Sequence, residues 1–322
     1  MPTIRLLEAE KIRKTVTAQE QRQIKRLYRE AVGYAEDWAK SLENKTNVSS
    51  VIRREYLRQM TNELNGALKD IGKSTESIIT QGIRTTATGV VNNVASMMLT
   101  TFKLDIGTAY SYIPRDVVRS IVTGQVYGGD WSLSRAIWGA TKKSQSDVQS
   151  IVARGLVENK SAYDIAKDLE AYVNPAARKD WSWGKLYPGS NKVVDYSAQR
   201  LARTLTSHAY QQSLIQSTQD NPFFEGYEWM TSGHNVCPIC LDYEAEDHTN
   251  GVLPPGVFFK DEVPLDHPNG FCTLGVYCER DTDAIVSKLA NWANGVEESA
   301  ELDKYAESLG YPLSELKNRV KK

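Results

Sequence analysis

Cys237-Pro238-Ile239-Cys240 and Asp266-His267-Pro268-Asn269-Gly270-Phe271-Cys272 hold the residues of this chain best suited to chemistry. Three thiols and one imidazole are the donor set of a closed tetrahedral zinc site. Two cysteines three apart reach one ion when the backbone between them turns tightly, and Pro238 favours that by fixing its φ at about −65°. A second ligand pair from far along the chain closes the site and staples a loop, which adds folding energy to a loop-rich segment. Cys237, Cys240, His267 and Cys272 are therefore the candidate ligands of a Zn2+ ion. Four protein ligands leave no position for water, so the expected role is structural, not catalytic.

The same residues admit other readings. Cys237 and Cys240 could be unligated thiols or a disulfide. Cys-Pro-x-Cys also opens a helix in redox enzymes of the thioredoxin class. Here the following stretch, 241–248, is acidic and leads to Gly251, Pro254, Pro255 and Gly256, which predicts a loop or hairpin. Cys278 could replace Cys272 or His267. His248 and His234 are further alternates, each in a polar loop. His208, on an apolar helix pattern, reads as a packing residue.

The chain of 322 residues predicts two or three domains. Its net charge of −1 excludes a globally basic nucleic-acid binder and an acidic tail. All four cysteines fall between Cys237 and Cys278, as a local metal site requires and a secreted disulfide scaffold does not. The first residues lack the basic-then-apolar layout of a signal peptide. The stretch 90–102 is too short and too polar to span a membrane. A soluble protein made in a reducing compartment is expected.

The elements that must position the ligands are mainly helical. Apolar spacing predicts a helix over 17–42, with Thr17 as N-cap and Glu20 completing a capping box. Further helices are predicted over 49–80, 75–101, 132–138, 144–158, 162–172 and 193–219. Arg22, Lys25, Arg26, Arg29, Arg53, Arg54 and Arg58 make the first sixty residues basic, which reads as a solvated helix face before a DNA or acidic-partner contact. Gly124 to Asp130 lacks the Gly-Lys-Ser/Thr of a nucleotide loop and reads as a turn. The segment 178–191, with Trp181, Trp183 and Tyr187, reads as an aromatic loop. Alternation predicts strands at 226–230 and 273–277, and the tail from 283 returns to helix with a break at Gly310-Tyr311-Pro312. The expected fold class is mainly α with a small α+β zinc-knuckle module near the C-terminus. The expected regions are 1–130 (helical), 131–222 (helical), 223–282 (β and zinc knuckle) and 283–322 (helical tail).

The order of these features carries a resemblance. A helix with Arg203-Thr204, a strand ending in Trp229, Cys237-x2-Cys240 with acidic residues, a Pro/Gly-rich loop, His267-Pro268 and then Cys272 resembles the phage head-morphogenesis family, the Mu F-like minor head proteins. The likeness covers about residues 147–280. Leu205 stands where that family has Glu, Gly233-His234 where it has Asp, and Gly270-Phe271 where it has Cys-Arg. The resemblance implies a non-enzymatic virion component that associates with the portal protein during procapsid assembly. Contacts with major capsid or scaffolding protein, or with packaged DNA, follow from the same likeness. No nucleophile–base–orienter set is visible, and no His-Glu-x-x-His occurs. The alternative is an HNH-type nuclease in which His267, in Leu265-Asp266-His267-Pro268, activates water beside a metal ion.

Overall fold

The computed structural model describes residues 3–43, 50–128, 130–158, 160–173, 195–233, 236–278 and 281–320. The described residues are mainly helical and carry one small antiparallel sheet. The helices are α1 (Leu7–Glu43), α2 (Ser50–Phe102), α3 (Ile113–Thr123), α4 (Leu133–Val157), α5 (Ala162–Val173), α6 (Tyr196–Thr218), α7 (Pro238–Ala245), α8 (Thr282–Ala293), α9 (Ala300–Ser308) and α10 (Leu313–Asn318). The strands are β1 (Thr3–Ile4), β2 (Gly226–Met230), β3 (Val257–Phe259) and β4 (Thr273–Tyr277). No described helix is long and apolar enough to cross a membrane.

The chain forms two compact units, each assembled from separate stretches. Unit 1 takes 1–17, 81–121 and 203–322; unit 2 takes 18–80 and 122–202.

Unit 2 is helical. Ile24 and Tyr28 of α1, Met60, Leu64, Leu68 and Ile71 of α2, and Ile137, Val148 and Ile151 of α4 are buried at helical spacing. Tyr172 of α5 donates its hydroxyl to Asp147 Oδ2 at 2.8 Å. Arg22, Lys25, Arg26, Arg29 and Arg58 are exposed.

Unit 1 holds the sheet, in the order β1-β4-β2-β3 with every pair antiparallel. β4 is buried throughout, which suits its apolar run Leu274-Gly275-Val276-Tyr277. Trp229, Trp292, Tyr210, Tyr227, Tyr305, Phe102 and Phe223 fill the core of this unit.

Several sequence expectations need correction. α1 begins at Leu7, so Thr17 is a buried mid-helix residue and not an N-cap. The helix start is hidden because Arg13, which is buried, interrupts the apolar series Leu6, Ala9, Val16. The predicted helices 49–80 and 75–101 are the single α2, and 132–138 and 144–158 are the single α4. Ile71 and Ile79, both buried, carry α2 through the polar stretch 73–76. The loop predicted after Cys240 is helix α7, opened by Pro238 at its first turn, where a missing N–H costs nothing. β1, β3 and α3 were not anticipated, the strands being two and three residues long. The aromatic segment 178–191 lies outside the described residues.

A glycine fixes the fit of β2 against β3. A Cβ at Gly226 would lie 2.3 Å from the Phe258 carbonyl oxygen. Gly226→Ala is expected to destabilise unit 1 by about 1–3 kcal/mol, measured as a lowered denaturant midpoint at unchanged slope.

Candidate metal centre

Cys237 is the N-cap of α7, with extended backbone (φ −78°, ψ 157°). The amides of Cys240 and Leu241 both donate to its carbonyl at 3.1 Å, which turns the two thiols to one side. Cys237 is half-buried and Cys240 buried. The acidic residues of α7 and the turn after it, Asp242, Glu244, Glu246 and Asp247, are exposed. Glu244 accepts from Thr231 N at 2.8 Å and so ties α7 to the end of β2. Trp229, Tyr243, Phe258 and His248 form a ring cluster beneath the helix.

His267 sits in the loop before β4. Gly270 N donates to its carbonyl at 2.8 Å, and Asn269 takes the left-handed conformation that this turn needs (φ 69°). The His267 Nδ1–H faces the Pro268 carbonyl at 3.1 Å. A carbonyl only accepts, so Nδ1 carries the proton and Nε2 presents its lone pair. That lone pair points at Cys237 Sγ, 3.1 Å away.

The donor atoms of Cys237, Cys240 and His267 lie within 4.8 Å of one another, as do those of Cys240, Asp266 and Cys272. The two groups share Cys240, so the cluster brings together all four predicted ligands and adds Asp266. In a tetrahedral zinc site two thiolate sulfurs stand about 3.8 Å apart, and a sulfur and an imidazole nitrogen about 3.5 Å apart. The cluster could hold a metal ion once Cys272 and the Cys237–His267 pair close on one point.

The alternates fall elsewhere. Cys278 lies past the far end of β4 from Cys272, about 20 Å along the strand, and belongs to neither group. His248 stacks on Phe258 at 3.9 Å and places Nε2 3.0 Å from the Tyr243 carbonyl. His234 lies outside the described residues. The four cysteines are free thiols, so Cys237 and Cys240 form no disulfide. The hook does open a helix, but β2 before it is antiparallel to both neighbours, so no βαβ redox unit is present.

Helix α6 holds the loop from one side. Thr204, Ser207, His208 and Gln211 stand at i, i+3, i+4 and i+7, a single helix face. Thr204 Oγ1 accepts from Asn269 N at 2.8 Å, and Gln211 Oε1 accepts from Asp266 N at 2.8 Å. His208 Nε2–H donates to the Asp266 carbonyl at 2.7 Å. Ser207 Oγ donates to Asp266 Oδ2 at 3.4 Å, and the same oxygen accepts from Cys272 N at 3.0 Å. Apart from His208, none of these residues was singled out for a role. Their i, i+3, i+4, i+7 spacing is shared with many other polar residues of this helix, so the sequence held no signal that set these four apart. Arg13, also missed, donates from Nη1 to the Cys272 carbonyl at 2.7 Å and from Nη2 to Thr273 Oγ1 at 2.8 Å.

Burial sets the electrostatics. It pushes the Cys240 thiol well above the ordinary range, and the neighbouring Cys272 and Cys237 add to the effect. It also raises Cys272, which Asp266 raises further and which Cys240, the Ser232 backbone and the Trp229 side chain oppose. Asp266 is raised by burial against the Cys272 amide and nearby cations. Among the described residues, Asp266 Oδ1, a buried oxygen beside the cluster, has no hydrogen-bond partner. A cation here would let the thiols ionise and give the orphaned carboxylate oxygen a favourable charge nearby. The residues present fit a metal.

Two measurements probe this site. A Cβ at Gly270 would lie 2.0 Å from Asp266 Oδ1, so Gly270→Ala should displace that carboxylate and destabilise unit 1 by about 1–3 kcal/mol in a urea titration. Burial lowers the His208 pKa from its ordinary 6.5. The unfolded chain gains a proton as pH falls through about 6.5 before the folded one does. The stability this neutral imidazole contributes is complete above that pH and is lost as pH falls towards the folded value. In metal-free protein the urea midpoint should therefore drop from pH 7 to pH 5, and drop less in His208→Gln. Asp266 acts in the opposite sense in both proteins, so their difference isolates His208.

Comparison with known proteins adds no relative: no protein-family model, curated protein or solved structure matches this chain.

Proposed function

We propose that the cluster is a closed structural Zn2+ site, with Cys237, Cys240, His267 and Cys272 as ligands, in a phage minor head protein that associates with the portal during procapsid assembly. The observation that carries the reading is that these donors fall into two adjoining groups joined by Cys240. The residues of the resemblance meet around these groups as well. Thr204 holds the loop through Asn269 N, the Arg203 guanidinium lies 4.7 Å from the Phe271 ring centroid, and Trp229 packs at 5.0 Å on Tyr243 of α7. Zinc bound here would tie α7 to the 266–272 loop and stiffen both. It would leave Ile239 and Leu241 facing solvent beside Asp242 and Glu246. Such a face suits a protein partner, such as the portal, major capsid or scaffolding protein. Its acidic residues repel a phosphate backbone, so any contact with packaged DNA belongs elsewhere on the chain.

The expected result is one zinc per chain, measured by elemental analysis, with loss of the metal and a lowered unfolding midpoint in Cys240→Ser. In particles, mass-spectrometric counting should find a few copies of this chain in virions or in DNA-free proheads. Absence from both would overturn the head-protein reading. DNA cleavage that depends on added metal and is abolished by His267→Ala would replace it with the HNH nuclease.

A further inference from the structure

Arg13 is a buried cation on which the carboxylates of Glu10 and Asp266 act only at longer range. Its side chain is completely buried, and among the described residues no carboxylate lies within ion-pair distance of it. Glu10, three residues before, is engaged by Arg5, whose Nη2 donates to it at 2.7 Å. Asp266 acts on Arg13 only at longer range and accepts from Cys272 N and Ser207 Oγ instead. The guanidinium bonds four neutral oxygens: the Cys272 and Phe271 carbonyls, Thr273 Oγ1 and Ser207 Oγ. It also lies over the rings of Tyr210 and Phe271, at 4.6 and 4.3 Å. Carbonyls and ring faces offset only part of the cost of removing a charge from water. Arg203, whose guanidinium lies 4.7 Å from the Phe271 ring centroid, is half-buried.

We propose that the metal-bound thiolates are the missing counter-charge, so that Arg13 is a positioning residue for the metal centre. Three thiolates, a neutral imidazole and a divalent cation sum to a single negative charge. Arg13 reaches the backbone of one of those ligands directly, through the Cys272 carbonyl. Metal loading and docking of the α1 N-terminal turns then stabilise each other, and the coupling is reciprocal by thermodynamic necessity. The inference rests on reading the cluster as a zinc site.

The test uses the full chain, zinc alone as the ligand, and two variants. Arg13→Gln removes the charge and keeps donors; Arg13→Lys keeps the charge and loses the planar fork. Zinc affinity is measured by competition with a chromophoric chelator, and urea midpoints are measured with zinc and with chelator. Arg13→Gln should weaken zinc binding by about tenfold or more, with Arg13→Lys recovering most of the loss. Arg13→Gln should also lower the midpoint of the zinc-loaded protein more than that of the chelated protein. Equal zinc affinity in wild type and Arg13→Gln would overturn the inference while leaving the zinc site standing. So would equal loss in both variants, which is the mark of a merely structural arginine. A wild-type protein that binds no zinc would instead overturn the reading beneath it.

Discussion

Residues 266–272 run as irregular backbone with Asp266, Gly270 and Cys272 buried in unit 1, and buried backbone groups have to find partners. A strand or helix would satisfy them internally; this loop does so only in part, through the Gly270 amide on the His267 carbonyl and the Cys272 amide on Asp266 Oδ2. Other amides and carbonyls of the loop are met from outside, by Thr204, His208 and Gln211 of α6 and by Arg13 of α1. The conformation that carries His267 and Cys272 is therefore set by elements remote in sequence. The hook at Cys237 is built locally, by one turn of helix and a proline. The centre joins a self-sufficient half to a half that exists only within the folded unit.

This division explains what could be read in the sequence. The hook, His267 and Cys272 are residue types at short spacings, and strands β2 and β4 show their alternation. Long helices were legible as periodic stretches, though α2 and α4 were each divided in two where polar residues weakened the pattern. Packing on both flanks overrides such local signals. The polar face of α6 and the cation at Arg13 were not legible, because their partners lie 55 to 260 residues away. A charged residue in an apolar series reads as exposed until its partners are known. Asp266, read only as part of an HNH-like Asp-His pair, is a buried carboxylate beside the thiols.

The acidic surface of α7 and the cationic interior behind it follow one logic. Charges facing water on α7 keep their hydration, and the helix needs only Cys240 and Tyr243 turned inward to stay attached. A metal at its base would replace the apolar contacts that so short a helix lacks. The small sheet then anchors both ligand segments, β2 leading into the hook and β4 leaving the loop.

The topology of unit 1 also imposes an order on synthesis. Strand β1 pairs with β4, and Arg13 waits for carbonyls 258 and 259 residues further on. At ordinary elongation rates that interval is on the order of 10–50 s. During it the amino-terminal segment has no sheet to join and no metal loop to hold, and it presents a bare strand edge and a solvated arginine to the cell. The stretches that make unit 2 emerge complete well before then. The helical unit can thus form on the ribosome, whereas the metal-bearing unit closes only as its last hundred residues appear.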